Sequence, residues 1–394
     1  MRGTVLFVAN FPANTGYAWD FIEGLFAGMA TRLAQIGVRA FVAYPAMTAP
    51  PRALQGTPAR PITLDARLET VASLRQTLAF ARRERVDLLY LIDRPARSRF
   101  YPLLRAAGVR TILVHDHTSG AGTVPRGLKR LAKGMLARVP GLTADRVIAV
   151  SDFVAERQRA VGMVPAERIT RVWNSVMIPP HADSSRTRHA RRALGLDEHV
   201  PIIACTCRAT PEKGVDSLFR AFDRLAVTSD ALLLYAGDGP AFASLQALRD
   251  SLPSRDRIRL YGYRPDRELL LEAADVCVVP SVWDEAFGLA ALEAMSRAKP
   301  VVATAVGGIP EVIQGEVTGV LVPPGDPQQL AAAIVALLSD RAAGARIGSY
   351  ARDDVAARFT AETQLVRLTE LVTEHLAPRG ARMIGSAEQL ACQR

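Results

Sequence analysis

Short, wholly apolar runs alternate along the chain with longer stretches in which apolar residues recur every three or four positions. The short runs suit buried strands and the longer stretches suit amphipathic helices. Residues 5–9 read as a strand, followed by a loop and a helix over residues 19–35. Gly37 ends that helix, and residues 38–44 form the next strand. A proline-rich turn spans residues 49–61, and a helix over 68–85 precedes a strand at 86–92. A helix at 100–107, a strand at 109–114, a basic helix at 126–138 and a strand at 146–151 follow. Repeated strand–helix units predict a parallel sheet covered by helices on both faces.

The alternation breaks between residues 178 and 199, a polar segment with Pro179, Pro180 and an arginine-rich run from 186 to 192. It then restarts, with strands expected at 202–206, 231–236, 258–261, 276–279, 301–303 and 320–322. Helices are expected at 326–338 and 360–376, the second closed by Pro378, and residues 379–394 carry little pattern. The expected organisation is an α/β protein of two Rossmann-like halves, residues 1–177 and 199–359, joined by a linker at 178–198. A C-terminal helix at 360–377 is expected to pack back toward the first half, and a tail covers 378–394.

At 394 residues the chain is long enough for two or more domains. No apolar run reaches the roughly 18 residues of a membrane span, and the N-terminus enters a strand without a secretory pattern. The expected location is the cytoplasm. Of four cysteines, Cys205 and Cys207 share one face of a strand, Cys277 lies in another strand and Cys392 in the tail. That reads as reduced, mostly buried thiols, and a Cys-x-Cys without companion ligands makes a poor metal site. The net charge of +10 is carried almost wholly by arginine, which favours anionic partners: nucleic acid, acidic lipid or phosphorylated small molecules. The basic residues are dispersed without an aromatic-interleaved motif, so nucleic acid is not the expected partner.

The functional reading depends on residues 274–311. A strand ends at Pro280, a polar turn holds Glu285, and a helix opening near Gly288 carries Glu293. A second strand at 300–304 runs into the turn of Gly307 and Gly308, which opens a helix at Ile309, Pro310 and Glu311. Strand, acidic loop, helix, strand and glycine turn form a ligand crevice at the carboxyl ends of parallel strands. Arg208 and Lys213 flank the turn after the first strand of this half, where cations and a helix start together suit a diphosphate. An ordinary solvated turn reads equally well from these residues alone, and the two glutamates also suit plain helix capping. Gly16, in the loop after the first strand, does not belong to a G-x-G-x-x-G fingerprint, so a nicotinamide dinucleotide site is poorly supported.

Together these pieces resemble the GT4 family of retaining sugar-nucleotide transferases, which have the GT-B fold. The resemblance rests on Arg208 with Lys213 and Gly214, on residues 237–240, on Gly262, on Glu285 to Glu293 with Phe287, Gly288 and Leu289, and on residues 307–311. It implies that Arg208 and Lys213 neutralise the donor diphosphate, that Glu285 contacts the transferred sugar and that Glu293 binds the ribose hydroxyls. Backbone N–H groups of Phe287, Gly288 and Leu289 would hold phosphate or sugar, and Gly16 would meet the donor from the first half. His117, a better match than His115, would bind the donor sugar near the reacting centre. Asp116 would orient a neighbour.

The implied activity is transfer of a sugar from a nucleoside diphosphate to an acceptor hydroxyl with retention, without metal or other cofactor; no convincing D-x-D stands in a plausible loop. The acceptor would be a glycan, glycolipid or small molecule, in bacterial cell-surface polysaccharide or glycoconjugate synthesis. In some such enzymes a basic helix meets anionic membrane. Here residues 126–138 put Arg126, Lys129, Arg130 and Lys133 on one side and Leu128, Leu131, Ala132 and Met135 on the other, which also fits an apolar face on the core. Two alternatives stand beside this reading: a non-hydrolysing sugar-nucleotide epimerase, and a catalytically silent GT-B subunit.

Overall fold

The apolar runs form strands whose residues are buried on both faces, as parallel strands between two helix layers must be. In β1 (Gly3–Val8) the residues Val5, Leu6, Phe7 and Val8 are all fully buried. The computed structural model describes residues 3–16, 18–180 and 184–377. Tyr17, Pro378, Cys392 and the rest of the expected tail at 378–394 lie outside the described residues.

The first half is a seven-stranded parallel sheet of order β3-β2-β1-β4-β5-β6-β7. Its strands are β1, β2 (Val38–Tyr44), β3 (Arg60–Thr63), β4 (Leu88–Ile92), β5 (Thr111–Asp116), β6 (Arg146–Ala149) and β7 (Ile169–Arg171). Its helices are α1 (Ala18–Gln35), α2 (Val71–Glu84), α3 (Tyr101–Ala106), α4 (Gly127–Arg138) and α5 (Asp152–Ala160). Across the 178–199 break lies α6 (Ser184–Ala193).

The second half is a six-stranded parallel sheet of order β10-β9-β8-β11-β12-β13. It comprises β8 (Ile202–Thr206), β9 (Leu232–Ala236), β10 (Ile258–Leu260), β11 (Val276–Val279), β12 (Val301–Thr304) and β13 (Val320–Val322). Its helices are α7 (Val215–Leu225), α8 (Phe242–Ser251), α9 (Glu268–Ala273), α10 (Leu289–Met295), α11 (Ile309–Val312), α12 (Pro327–Ser339) and α13 (Arg341–Arg358). Last comes α14 (Ala361–Leu376), whose Leu368, Leu371, Val372 and Leu376 pack into the core beside α1. The backbone crosses between the halves twice at one place, where the Val176 N–H donates to the Phe359 carbonyl at 3.1 Å.

Several segments differ from the sequence pattern, which does not predict α5, β7 or α13, and three more have a physical reason. The proline-rich turn at 49–61 runs into β3, where Pro61 is tolerated because β3 is an edge strand. The polar linker contains α6, which folds onto the second half through one buried arginine. Arg191 donates to Asp275 Oδ2 at 2.7 Å and to the carbonyls of Glu198, Val200 and Ala273. Asp275 also accepts from the Ile202 N–H at 2.7 Å, so Arg191 ties α6 to the starts of β8 and β11.

Helix α4 does not bury its apolar side. Gly134 and Ala137 face the protein, and Lys133 joins them, its Nζ donating to the Val161 carbonyl. Leu128 is 84% exposed, Met135 67% and Leu131 64%. Arg126, Lys129 and Arg130 are exposed beside them. No helix among the described residues is long and apolar enough to cross a membrane.

Replacing Arg191 with Ala is expected to destabilise the protein by about 3–5 kcal/mol, because the Asp275 carboxylate is left without its ionic partner. The same change at the exposed Arg192 should fall within about 0.5 kcal/mol. Denaturant unfolding of both variants checks the contrast.

Candidate active site

In the second half, the connection from β8 runs to β9 on one side and the connection from β11 runs to β12 on the other, which opens a crevice at the carboxyl ends of β8 and β11. Arg208 and Lys213 lie in the loop after β8, and Ser281 and Glu285 in the loop after β11. The two loops run against each other: the Val282 N–H donates to the Glu212 carbonyl at 2.9 Å. Gly214, with φ +61°, permits this approach, since a Cβ there would stand 2.1 Å from the Pro280 carbonyl oxygen. From the loop after β12, Gly307 sits equally close to the Glu285 backbone, and the Gly308 N–H donates to the Glu285 carbonyl at 2.9 Å.

This packing brings Lys213 and Glu285 together. Lys213 Nζ lies 2.5 Å from Glu285 Oε1, and the Ser281 hydroxyl donates to the same oxygen at 2.5 Å. An ammonium has three donors, so two remain for an anion. Arg208 is exposed, and its side chain makes no hydrogen bond or ion pair with any described residue. Phe287 is buried against Phe359, so only its backbone can meet a ligand. Gly288, with φ +109°, is the N-cap of α10, and Leu289 begins that helix half-buried.

Glu293 faces a partner that the sequence reading missed. Arg267 donates to Glu293 Oε1 at 3.0 Å. Burial alone would weaken the Arg267 cation, but Glu293, with Glu268 and Asp20 behind it, outweighs burial and raises its pKa above the ordinary value. Asp20 in the first turn of α1 also lies within electrostatic reach of Arg267. Burial raises its pKa and Arg267 opposes the rise. Gly16, with φ +81°, meets the same region from the first half: a Cβ there would lie 3.3 Å from the Tyr263 hydroxyl. Nothing in the sequence pairs residues 267 and 293; the fold alone brings them together.

The facing site is at the carboxyl ends of β1, β4 and β5. The His115 and His117 rings meet at a tilt of 51°, with centroids 4.1 Å apart. His115 is wholly buried and its Nδ1 meets the Tyr90 hydroxyl at 2.8 Å, so it belongs to the core. His117 Nδ1 lies 3.5 Å from Asn174 Nδ2. A chain of bonds orients that amide: the Ser175 hydroxyl donates to Gln364 Oε1, and Gln364 Nε2 donates to Asn174 Oδ1. The Asn174 amino group therefore faces Nδ1, which leaves the ring proton on Nε2. Nε2 is buried without a partner among the described residues, and burial lowers the His117 pKa to about 4, so the imidazole is neutral at pH 7.

Asp116 is gripped by Arg157 at 2.6 Å and Gln158 at 2.5 Å, and it accepts from the Thr118 N–H and hydroxyl. Burial would raise its pKa, but these partners hold it below the usual carboxylate range. Asp116 thus shapes the loop after His117. Asp93, which the sequence reading also missed, accepts from the His117 N–H at 2.6 Å and from the Asn10 amide at 3.5 Å. Burial, and then the charge of Asp116, push its carboxyl up to about 7.

Because that value lies above the unfolded one, Asp93 contributes stability that is complete below about pH 4 and is lost as pH rises through about 7. Asp93→Asn removes the titration while suiting the positive φ of 52°. The melting temperature of the variant, relative to the parent, is expected to be higher at pH 8 than at pH 5. An offset that does not change with pH would overturn the assignment.

Two family profiles match the chain. "Glycosyl transferases group 1" covers residues 187–354 and "Glycosyltransferase Family 4" covers residues 23–178. The N-acetyl-alpha-D-glucosaminyl L-malate synthase of Bacillus anthracis is 32% identical over 56% of this chain and 57% of its own length. The D-inositol 3-phosphate glycosyltransferase of Corynebacterium jeikeium is 34% identical over 52% of this chain and 53% of its own. The chain thus spans just over half the length of these curated relatives. Among solved structures, a glycosyltransferase from Rickettsia africae superposes with a TM-score of 0.79 at 22% identity, over 95% of this chain and 99% of that one. The Anabaena protein HepE, solved with UDP and glucose, superposes with a TM-score of 0.74 at 22% identity, over 94% and 99%. With its two parallel sheets in GT-B arrangement and both family profiles matched, the chain belongs to the GT4 family of glycosyltransferases.

Proposed function

We propose that this protein transfers a sugar from a nucleoside diphosphate to an acceptor hydroxyl with retention at the anomeric carbon. The observation that carries the reading is the cation pair Arg208 and Lys213 beside Glu285 at one strand-end crevice, faced across the cleft by the neutral, unpartnered Nε2 of His117. The donor lies mainly on the second half and the acceptor on the first. Arg208 and the free donors of Lys213 take up the charge that develops on the diphosphate as the bond from C1 breaks. Glu285 touches the departing sugar, and His117 donates from Nε2 to a sugar hydroxyl. Glu293 accepts from the ribose hydroxyls, held in place by Arg267. Backbone N–H groups at Phe287, Gly288 and Leu289 complete the cradle, and Gly16 closes on it from the first half. The acceptor attacks the face that the diphosphate leaves, and the acceptor proton passes to a diphosphate oxygen, so no protein base or metal takes part.

UDP is the first nucleotide to test, because HepE, a structural neighbour, was solved with UDP and with UDP-glucose. The setting of this reading is cell-surface polysaccharide or glycoconjugate synthesis on the cytoplasmic side of a bacterial membrane. The outer face of α4 supports peripheral contact there: Leu128, Leu131 and Met135 are exposed among Arg126, Lys129 and Arg130. Each basic residue near an acidic leaflet contributes about 1 kcal/mol, and buried leucines would add to it.

A melting screen with UDP, GDP, ADP, CDP and dTDP sugars should single out one nucleotide that stabilises the chain, and transfer should then be measured with that donor. Glu285→Gln, which keeps the shape and removes the charge beside Lys213, is expected to lower turnover by roughly 10²-fold or more with the fold intact. Near-normal turnover would sink its assigned role. Replacing Leu128, Lys129, Arg130 and Leu131 together with Ser should abolish cosedimentation with anionic liposomes, and unchanged binding would remove the membrane reading.

A further inference from the structure

The loop that carries Glu285 is fastened by the other half of the molecule. Three consecutive carbonyls point to three different partners: Asp284 accepts from the Gly120 N–H at 2.7 Å, Glu285 from the Gly308 N–H at 2.9 Å, and Ala286 from the Ser151 hydroxyl at 2.6 Å. Gly120 and Ser151 belong to the first half. Gly120 also lies close against Trp283, where a Cβ would stand 2.7 Å from the indole nitrogen. The return contact comes from Glu311, immediately after the glycine turn that holds Glu285. Its Oε2 accepts from the Asp152 N–H at 2.7 Å and its Oε1 from the Phe153 N–H at 2.8 Å, while Trp173 Nε1 donates to Oε2 at 3.3 Å. A carboxylate from one half thus caps the first turn of α5 in the other, in the favourable sense of the helix dipole. Arg157 and Gln158, farther along α5, grip Asp116, and Arg157 also holds the carbonyls of Thr118, Ser119 and Gly120. One rigid element therefore spans from Glu311 to the loop that follows His117 and touches Asp284.

We propose that Glu311 and Ser151 are positioning residues for glycosyl transfer: by docking α5 against the second half, they fix the backbone of residues 284–286 and with it the carboxylate of Glu285. Neither side chain reaches the donor. Their effect is to set the Glu285 loop and the His117 loop in register, so that both reach the sugar together. The catalytic consequence rests on the transferase reading above, whereas the docking itself does not.

The test uses the full chain with Glu311→Ala, Glu311→Gln and Ser151→Ala. Without any ligand, hydrogen–deuterium exchange in Glu311→Ala and Ser151→Ala should rise both at residues 151–155 and at residues 283–288, with the sheet cores unchanged. No change at 283–288 in either variant would overturn the proposal whatever the activity. With the donor found by the melting screen, transfer kcat should fall roughly tenfold in Glu311→Ala while the Kd for that donor's nucleoside diphosphate stays within about twofold. Glu311→Gln, which keeps one acceptor oxygen, should lie between. Unchanged kcat, or a Kd that weakens as much as kcat/KM, would also overturn the positioning role. If the parent chain turns over no nucleotide sugar, the transferase reading fails, and the exchange result alone decides the docking.

Discussion

Residues 280–288 belong to neither a strand nor a helix, so their backbone groups must find partners elsewhere or remain unsatisfied at the bottom of a cleft. The site depends on how that need is met. Val282 bonds to the loop after β8, Glu285 to the glycine turn after β12, and Asp284 and Ala286 to the first half of the molecule. The approaches of the loops after β8 and β12 are ones a side chain would block, which is why Gly214 and Gly307 stand where they do. The glycines set the distances between loops, and those distances place Lys213 on Glu285.

The charges of the cleft are already paired before any ligand arrives. Lys213 holds Glu285, Arg267 holds Glu293 and Arg157 holds Asp116, while Arg208 is left exposed. Partly buried pairs gain little net stability, because desolvation offsets their attraction. What they provide is orientation: each carboxylate is presented at a fixed place, and the ammonium beside Glu285 retains donors for an incoming anion. The facing side works with neutral groups. His117 is uncharged, its tautomer set by the chain through Asn174 and Gln364, and Gln364 belongs to α14, which packs beside α1.

Much of this was legible in the chain. Wholly apolar strand runs between amphipathic helices identify buried parallel sheets, because only strands covered on both faces dispense with alternation. Arg208, Lys213 and Glu285 could be marked because each sits in a loop after such a strand, and Glu293 because it lies on the helix that the Glu285 loop opens. β3 escaped notice because proline usually signals a turn, and α6 because arginines resemble linker residues until one of them, Arg191, is buried against Asp275. The orientation of α4 stayed open for a related reason. Periodicity shows that two faces differ, but not which of them the protein covers.

By itself the sequence determined the strands other than β3 and β7, most of the helices, the division into two similar halves and the residue types offered at the strand ends. These follow from local periodicity and from the special backbone freedom of glycine, which act within a few residues. The tertiary structure alone decided the pairings: Lys213 with Glu285, Arg267 with Glu293, Asp93 with His117, and Glu311 with the start of α5. Those partners are separated by up to 159 positions along the chain. Their contact energies depend on distances of a few ångströms, which only the packed sheets and their close-fitting loops can set.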